Sequence, residues 1–300
     1  MDAIHTLLTE TNNPATAGIS GCSTLEMLRL INDEDKKVAP AVERELPHIA
    51  DAVDRIAARL QAGGRLFYIG AGTSGRLAVV DASECRCTYG VPTDLVQAIL
   101  AGGLEGIGDA AQGDEDDAAM GREEIRRRRA GAGDAVVGIT ASGRTPYVLG
   151  AIAQANEAGC LTVGLCSNPD TALSRLATVT IAPLTGPEAI EGSTRMKSGT
   201  AQKMVLNMLS TATMIKLGKV YGNLMVDVKA SNEKLYQRAV SIVCTAAGVD
   251  EDTARQALEK CGYSCKTAIV SILLGLTPEE ANAALARADG HIADAIAEKK

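Results

Sequence analysis

The clearest indication of the fold is the segment Arg65-Leu-Phe-Tyr-Ile-Gly-Ala-Gly-Thr-Ser-Gly-Arg76. Its first half is a short apolar run typical of a buried β-strand, and its second half is rich in glycine and hydroxyl groups. The pattern returns at Asp134-Ala-Val-Val-Gly-Ile-Thr-Ala-Ser-Gly-Arg-Thr-Pro146. A strand that ends in such a loop and continues as a helix directs unpaired backbone N–H groups and hydroxyls at one point, which suits a phosphate. Two such loops in one parallel sheet therefore predict that a small phosphorylated molecule is held between them.

The central part of the chain predicts a parallel α/β fold. Between residues 65 and 183, short β-branched runs alternate with helical stretches, as the crossovers of a parallel sheet require. The strands are expected at 65–69, 94–100, 134–140, 161–165 and 178–182. Upstream, the apolar spacing from Val42 to Leu60 predicts a helix that Pro47 either kinks or begins.

Three segments of different composition predict the domain organisation. Residues 1–22 are polar and rich in turn residues, and we expect them to form an N-terminal arm. Residues 23–237 are expected to form the phosphate-binding domain together with its N-terminal helices. Residues 238–300 are rich in alanine and contain no strand-like run, and Ala254-x-x-Ala257-Leu258 recurs as Ala281-x-x-Ala284-Leu285. This weak repeat predicts a small all-helical C-terminal domain with a structural or dimer-supporting role.

The composition argues against several classes of protein. Of 300 residues, 46% are hydrophobic, but only 2% are aromatic and none is tryptophan. Such a chain is poorly suited to stacking single-stranded bases, and its net charge of −7 disfavours polyanions, so we expect no nucleic-acid partner. The longest apolar run, Ala268–Leu276, is shorter than the about 20 residues that span a bilayer. Because residues 1–10 also lack the pattern of a signal peptide, we expect a cytoplasmic protein with no membrane partner.

Eight cysteines and three histidines raise the question of disulfides or a metal site. His5, His48 and His291 are scattered along the chain, and the cysteine spacings do not match those of zinc ligands. We interpret most of the cysteines as reduced, buried, small apolar residues and expect no metal.

The segment Gly70–Gly75 also fits the G-x-G-x-x-G pattern of a dinucleotide site. That site needs an acidic residue at the end of the following strand, whereas Asp94 precedes the apolar run Leu95–Leu100 and does not end it. The hydroxyls of Thr73 and Ser74 are unnecessary for a pyrophosphate bound by backbone N–H groups, but they suit the terminal oxygens of a phosphate monoester. We therefore favour a phosphate monoester, with the dinucleotide as the alternative.

Two glutamates follow the loop region, although no spacing selects them as catalytic. Glu84 lies two to three turns into the helix that the first loop begins, so it reaches the same ligand only if the segment bends back. Glu115 lies in the acidic run Asp114–Asp117, and such a run usually caps a helix.

Four blocks of sequence resemble the bacterial N-acetylmuramic acid 6-phosphate etherases. They are Ser23–Asn32, Gly70–Leu77 with Asp81–Glu84, Ala141–Tyr147, and the highly specific block Gly192–Thr211. The resemblance covers nearly the whole chain and implies the sugar isomerase (SIS) fold, a phosphosugar-binding α/β sandwich. It also implies a homodimer with its sites near the subunit interface. The implied activity is that of a lyase in cell-wall sugar recycling, which converts N-acetylmuramic acid 6-phosphate to N-acetylglucosamine 6-phosphate and D-lactate without a cofactor.

The resemblance also implies roles for single residues. Glu84 matches the proton donor of the family, and Glu115 matches its second catalytic glutamate, which we assign as the base. The implied phosphate-binding residues are Thr73, Ser74, Ser142 and Thr145. Further residues, which bind substrate or form structural ion pairs, are Arg76, Arg144, Ser193, Thr194 and Arg195. Glu188 and Lys197 belong to the same block, and the sequence leaves open whether they are structural.

The sequence departs from the family pattern at two places and leaves two other functions open. Cys85-Arg-Cys-Thr-Tyr-Gly90 stands where Cys-Pro-Pro-Thr-Phe-Gly is expected, and Glu191 stands where a small residue is usual. One alternative function is a non-catalytic phosphosugar sensor, which would not need both Glu84 and Glu115. The other is an aldose–ketose phosphosugar isomerase, which would not explain the block Gly192–Thr211.

Overall fold

The computed structural model describes residues 7–103, 105–108, 113–229 and 232–298. The chain divides into two compact units. The first comprises Met1–Ala82 and Asp94–Ser210, and the second comprises Ser83–Thr93 and Thr211–Lys300. The division into residues 1–22, 23–237 and 238–300 rests on composition and stays a prediction.

The first unit contains a five-stranded parallel sheet. Its strands are β1 (Leu66–Gly70), β2 (Val96–Leu100), β3 (Ala135–Ile139), β4 (Leu161–Leu165) and β5 (Val179–Ile181). The spatial order is β2-β1-β3-β4-β5, and every neighbouring pair is parallel. The predicted parallel α/β architecture is confirmed, and each strand ends within two residues of its predicted bounds.

Helices precede the sheet and connect its strands. They are α1 (Thr24–Asp35), α2 (Val38–Glu43), α3 (Leu46–Gln61), α4 (Gly72–Tyr89), α5 (Glu105–Gly108), α6 (Ala118–Arg127), α7 (Pro146–Glu157), α8 (Ala172–Leu176) and α9 (Lys197–Lys216). Short 3₁₀ turns are formed by Leu8–Glu10, Ile19–Gly21 and Asp114–Asp116. The boundary between the two units falls inside α4 and inside α9.

Both faces of the sheet are covered. Every residue of β1, β3 and β4 is buried, which is typical of parallel strands between two helical layers. α7 packs against β1, β3 and β4, and its Val148 and Ile152 share an apolar cluster with Phe67 and Val136. α3 packs against β4 and β5 through its buried apolar residues.

The apolar spacing from Val42 to Leu60 belongs to two helices. α2 ends at Glu43 and α3 begins at Leu46, with Pro47 in its first turn. A proline is tolerated there because the N–H that it lacks would have no partner in the helix. Pro47 therefore begins a helix and does not kink one.

Two glycines let α6 and α7 approach backbone to backbone. A Cβ on Gly121 would lie 1.9 Å from the carbonyl oxygen of Tyr147, and a Cβ on Gly150 would lie 2.0 Å from that of Ala118. No side chain larger than hydrogen fits at either position. The contact holds the N-terminal halves of the two helices together, and the turn Asp114–Asp116 packs against α7.

The second unit is helical beyond residue 232. Its helices are α10 (Glu233–Ala247), α11 (Glu251–Lys260), α12 (Cys265–Leu274), α13 (Pro278–Arg287) and α14 (Ile292–Ala297). They share one apolar cluster, in which the repeated residues Ala254 and Leu258 of α11 and Ala281 and Leu285 of α13 are all buried. The predicted helical C-terminal part is confirmed.

Within the described ranges, no single helix is both long and apolar enough to cross a membrane. α12 and α13 satisfy the length and composition criteria only when joined, and that pair is bent by 103°.

None of the eight cysteines is in a disulfide, and four of them are buried: Cys85, Cys160, Cys166 and Cys265. Burial raises the pKa of Cys160 to about 11 and that of Cys265 to about 12, so both thiols stay protonated at neutral pH. The interpretation as small buried residues holds for these four, whereas Cys87 is exposed and the other three are half-buried.

Asp134 fastens the start of β3 to the start of β1. Its carboxylate accepts hydrogen bonds from the Arg65 backbone N–H at 2.8 Å, from Arg65 Nη2 at 2.8 Å and from the Gly131 N–H at 3.0 Å. Burial of Asp134 disfavours its charged form, but these hydrogen bonds outweigh the burial and hold the pKa of Asp134 below its usual range.

We expect Asp134→Asn to lower the free energy of unfolding at pH 7 by about 1.5–3 kcal/mol, as for hydrogen bonds to a charged group. Because the pKa is lowered in the folded state, this stabilisation is full above the pKa of the unfolded chain and is lost as the pH falls through the folded-state value. The difference between wild type and variant should therefore shrink below about pH 4. Urea unfolding across this pH range measures it.

The matched control is Asp51→Asn, which breaks the exposed ion pair between Asp51 and Arg55 on α3. Such a pair contributes at most about 1 kcal/mol. Equal losses in the two variants, or an Asp134 effect that does not change with pH, would contradict the role assigned to Asp134.

Candidate active site

A cavity of about 430 Å³ lies where β1 and β3 end and both Gly- and hydroxyl-rich loops meet. Its lining residues all belong to the first unit. They are Glu10, Ala71–Ser74, Glu115, Asp116, Ile139–Ser142, Arg144–Pro146 and Thr194. The structure thus brings together the two loops that the sequence placed at the ends of separate strands.

The first loop turns directly from β1 into α4. Thr73 and Ser74 are in the first turn of α4 and line the cavity, with Ser74 buried. Gly75 lies against the end of β1, since a Cβ there would be 2.6 Å from the carbonyl oxygen of Gly70. The first N–H groups of a helix have no partner within the helix, and they carry the positive end of its dipole. This end of the cavity therefore favours an anion.

The second loop holds its hydroxyls in place by mutual hydrogen bonds. Thr140 Oγ1 lies 2.7 Å from Thr145 Oγ1 and 3.3 Å from Ser142 Oγ. The Arg144 backbone N–H donates to Ser142 Oγ at 3.2 Å. Thr145 precedes α7, and its side chain does not cap that helix. The N-terminus of α7 is therefore available to a ligand, in the same way as that of α4.

Glu115 lies at the cavity with its side chain exposed. The cap of α6 is its neighbour Asp117, whose Oδ1 accepts a hydrogen bond from the Met120 N–H at 2.9 Å. Among the described residues, no lysine, arginine or histidine lies within 4.0 Å of the Glu115 carboxylate. Within the acidic run, Asp117 therefore caps α6, whereas Glu115 lines the cavity.

Glu84 belongs to the second unit, where its side chain is exposed. α4 is a single helix from Gly72 to Tyr89, so the bend considered between the first loop and Glu84 is not present. Where the resemblance predicts two prolines, Arg86 and Cys87 continue this helix. The catalytic assignment of Glu84 stays a prediction.

The remaining predicted residues divide into two groups. Arg144 and Thr194 line the cavity. Arg76, Ser193 and Arg195 are not among its lining residues, and Arg76 Nε instead donates to the carbonyl oxygen of Ile107 at 2.9 Å.

A buried ion-pair network anchors the chain just after Thr194. The Glu188 carboxylate is fully buried and accepts the backbone N–H groups of Lys197 and Ser198, each at 2.9 Å, at the start of α9. Lys197 Nζ donates to Glu34 Oε2 at 2.5 Å. Burial of Glu34 disfavours its charge, but the hydrogen bonds from Lys197 and Lys37 hold the pKa of Glu34 below its usual range. Glu188 and Lys197 are thus structural residues.

Asp81 connects two blocks of the sequence that resemble the etherases. Its Oδ1 accepts hydrogen bonds from Asn207 Nδ2 at 2.7 Å and from Ser210 Oγ at 3.1 Å, which join α4 to α9. Burial raises the pKa of Asp81, and the hydrogen bonds from Asn207 and Ser210 oppose this shift. The role of Asp81 is therefore to position the helix that follows the first loop.

Three polar residues that line the cavity were not selected from the sequence. Thr140 and Asp116 are neighbours of predicted residues, and the position of Thr140 at the end of β3 was a usable signal. Glu10 lies in the predicted N-terminal arm, where no motif or periodicity marks it.

Family models match three parts of the chain. Residues 48–156 match the glucokinase regulatory protein N-terminal SIS domain, and residues 123–212 match the SIS domain. Residues 222–274 match the C-terminal lid domain of glucokinase regulatory protein. A solved structure from Bacteroides fragilis, described as a phosphosugar isomerase involved in capsule formation, has a TM-score of 0.50 at 19% identity over 67% of this chain and 95% of that chain. The predicted SIS fold is confirmed.

Curated relatives match nearly the whole chain. It is 59% identical over 273 residues to an N-acetylmuramic acid 6-phosphate etherase of Symbiobacterium thermophilum, covering 91% of both chains. It is 52% identical over 295 residues to the etherase of Clostridium beijerinckii, covering 98% of this chain and 97% of the relative. The etherase of Pasteurella multocida is also 52% identical over 295 residues, covering 98% of each.

The loop geometry predicts that Ser142→Ala weakens the binding of inorganic phosphate. A hydrogen bond to a charged group contributes about 1.5–3 kcal/mol, so we expect the Kd to rise at least tenfold. Calorimetric titration with phosphate measures the Kd, and thermal unfolding checks that the variant is folded. The control is Ser241→Ala on α10, an exposed serine of the second unit. Unchanged phosphate affinity in Ser142→Ala would remove this hydroxyl from the phosphate site.

Proposed function

The chain belongs to the N-acetylmuramic acid 6-phosphate etherase family, and on this premise we propose that it cleaves the D-lactyl ether of N-acetylmuramic acid 6-phosphate. The products are D-lactate and N-acetylglucosamine 6-phosphate, which makes the protein a carbon–oxygen lyase of cell-wall sugar recycling. The observation that carries the proposal is one cavity that joins two helix N-termini, a set of hydroxyls and the Glu115 carboxylate.

We place the phosphate of the substrate between the two loops. The residues whose hydroxyls donate to its oxygens are Thr73, Ser74, Ser142 and Thr145, and the N-termini of α4 and α7 add backbone N–H groups. Arg144 contributes positive charge at the same wall, and Thr194 contributes a further hydroxyl. The sequence resemblance alone supports three further residues, which we propose to bind the lactyl carboxylate: Arg76, Ser193 and Arg195.

The proposed reaction is an elimination followed by the addition of water. Opening of the sugar ring produces an aldehyde at C1, which acidifies the proton on C2. Glu115 removes this proton, the electron pair forms a C2–C3 double bond, and the C3–O bond to lactate breaks. On the sequence resemblance alone, and not on the geometry of this cavity, we assign Glu84 as the group that protonates the departing lactate oxygen. Water then adds to the double bond, with hydroxide at C3 and a proton at C2. The two glutamates must therefore begin in opposite protonation states.

We also propose a cytoplasmic homodimer with its sites near the subunit interface. Leu25 and Leu28 lie one turn apart on α1 and are each 58% exposed, and apolar exposure of this kind is typical of contact surfaces. Sedimentation should give the mass of two chains of 31.1 kDa each.

The proposed function is tested by incubating the purified protein with N-acetylmuramic acid 6-phosphate and assaying D-lactate. We expect stoichiometric lactate and N-acetylglucosamine 6-phosphate, with oxygen from labelled water at C3. Binding of the substrate without lactate release would instead indicate a phosphosugar sensor. Conversion of an aldose phosphate to a ketose phosphate without lactate would indicate an isomerase.

The roles of the two glutamates predict different behaviour of Glu84→Gln and Glu115→Gln. Each variant should release lactate about 10²–10⁴-fold more slowly, the usual contribution of one general acid or base. In heavy water, Glu84→Gln should still exchange the C2 proton of the substrate, because the base is intact, whereas Glu115→Gln should not. NMR measures this exchange.

The control for this pair is Glu123→Gln, an exposed carboxylate on α6 whose contact is Arg126. It should leave both lactate release and exchange unchanged. Full activity in Glu84→Gln, or C2 exchange in Glu115→Gln at the wild-type rate, would contradict the assigned mechanism.

A further inference from the structure

The N-terminal segment supplies the cavity with a carboxylate that the proposed reaction does not use. Glu10 ends the 3₁₀ turn Leu8–Glu10 and lines the cavity together with Thr194 and Arg144. Leu7 and Thr9, the two residues on either side of Leu8, are buried, so this segment packs against the rest of the first unit.

One side chain ties this segment to the second phosphate loop. Asn168 Nδ2 donates to Thr9 Oγ1 at 3.0 Å and to the carbonyl oxygen of Ala141 at 2.9 Å. The Thr9 backbone N–H in turn donates to Asn168 Oδ1 at 3.4 Å. Because both Thr9 and Asn168 are buried, the residue that precedes Glu10 is fixed relative to the loop that carries Ser142.

A second set of contacts ties the segment to the chain that leads to Thr194. Asn13 Nδ2 donates to the carbonyl oxygen of Pro187 at 3.3 Å, and Thr16 Oγ1 donates to that of Ala189 at 2.8 Å. Glu10 Oε2 lies 3.1 Å from the position that a Cβ on Gly192 would occupy. Glu10 is therefore held between the two walls of the cavity that carry Ser142 and Thr194.

The described part of the chain provides no ion-pair partner for the Glu10 carboxylate. Among the described residues, no basic side chain lies within 4.0 Å of its carboxylate, and the Thr9 hydroxyl contacts Oε1 at 3.5 Å. A carboxylate only accepts hydrogen bonds, and it repels phosphate and other anionic groups. The ligand atoms that suit this position are thus the neutral hydroxyl and amide N–H donors of a sugar.

We propose that Glu10 is a substrate-binding residue that accepts hydrogen bonds from the hydroxyl or amide N–H groups of the phosphosugar. The inference rests on the proposed function for the identity of the sugar. By attracting the neutral donors and repelling the anionic groups, Glu10 fixes which way the sugar extends from the phosphate loops. Orientation of this kind determines which carbon faces the catalytic base.

The test compares Glu10→Gln and Glu10→Ala with wild type in two calorimetric titrations. One uses N-acetylglucosamine 6-phosphate, which carries the sugar donors, and the other uses inorganic phosphate, which does not. We expect both variants to bind the sugar phosphate at least tenfold more weakly, because charge-assisted hydrogen bonds are lost. Phosphate affinity should be unchanged or higher, since a negative charge near the site is removed.

The matched control is Glu191→Gln, which removes the same charge from an exposed carboxylate that contacts Asn12 and does not line the cavity. It should bind both probes as wild type does. A parallel loss of sugar phosphate and phosphate binding in the Glu10 variants would show a structural role and overturn the inference. Wild-type affinity for the sugar phosphate in Glu10→Gln and Glu10→Ala would also overturn it.

The outcome is separable from that of the proposed function, because both titrations measure binding without turnover. One outcome is that wild type releases no lactate while the Glu10 variants lose affinity for N-acetylglucosamine 6-phosphate and keep their affinity for inorganic phosphate. In that case Glu10 is a sugar-binding residue of a non-catalytic protein. If wild type releases lactate and the Glu10 variants bind normally, the proposed function stands and the role of Glu10 is rejected.

Discussion

The parallel register of β1 and β3 is the constraint on which the site depends. Gly70 is paired with Ile139, so the two strands end at the same level of the sheet. The loops that follow therefore begin side by side, and the helices after them, α4 and α7, start at the same edge. An antiparallel pairing would have placed the two loops at opposite edges of the sheet, and neither loop alone would enclose a phosphate.

The other walls of the cavity come from elements outside the carboxyl edge of the sheet. The backbone contact of α6 with α7 through Gly121 and Gly150 sets the turn that carries Glu115. The buried carboxylate of Glu188 caps α9 and anchors the chain next to Thr194. These elements hold their positions by burial and hydrogen bonding.

Local pattern was sufficient for the parts of the site that lie next to a strand end. The hydroxyls of Thr73, Ser74, Ser142 and Thr145 line one cavity, as expected from the two loops. Position in a motif was not sufficient to predict whether a side chain lines the cavity when that side chain can also bind a backbone group elsewhere. Arg76 lies in the first loop region, but its guanidinium donates to a backbone carbonyl oxygen and does not line the cavity.

Sequence alone was enough to predict the parallel sheet, the two anion-binding loops, the helical C-terminal part and the family, because these follow from periodicity, glycine placement and motifs that are contiguous in the chain. The folded structure was needed to show that Glu115 lies at the cavity while its neighbour Asp117 caps α6, and that Glu10, far upstream in the chain, lines the same cavity. The position of Glu115 depends on the packing of α6 against α7, and that of Glu10 depends on the contact of Thr9 with Asn168. No local pattern encodes such contacts between residues distant in sequence.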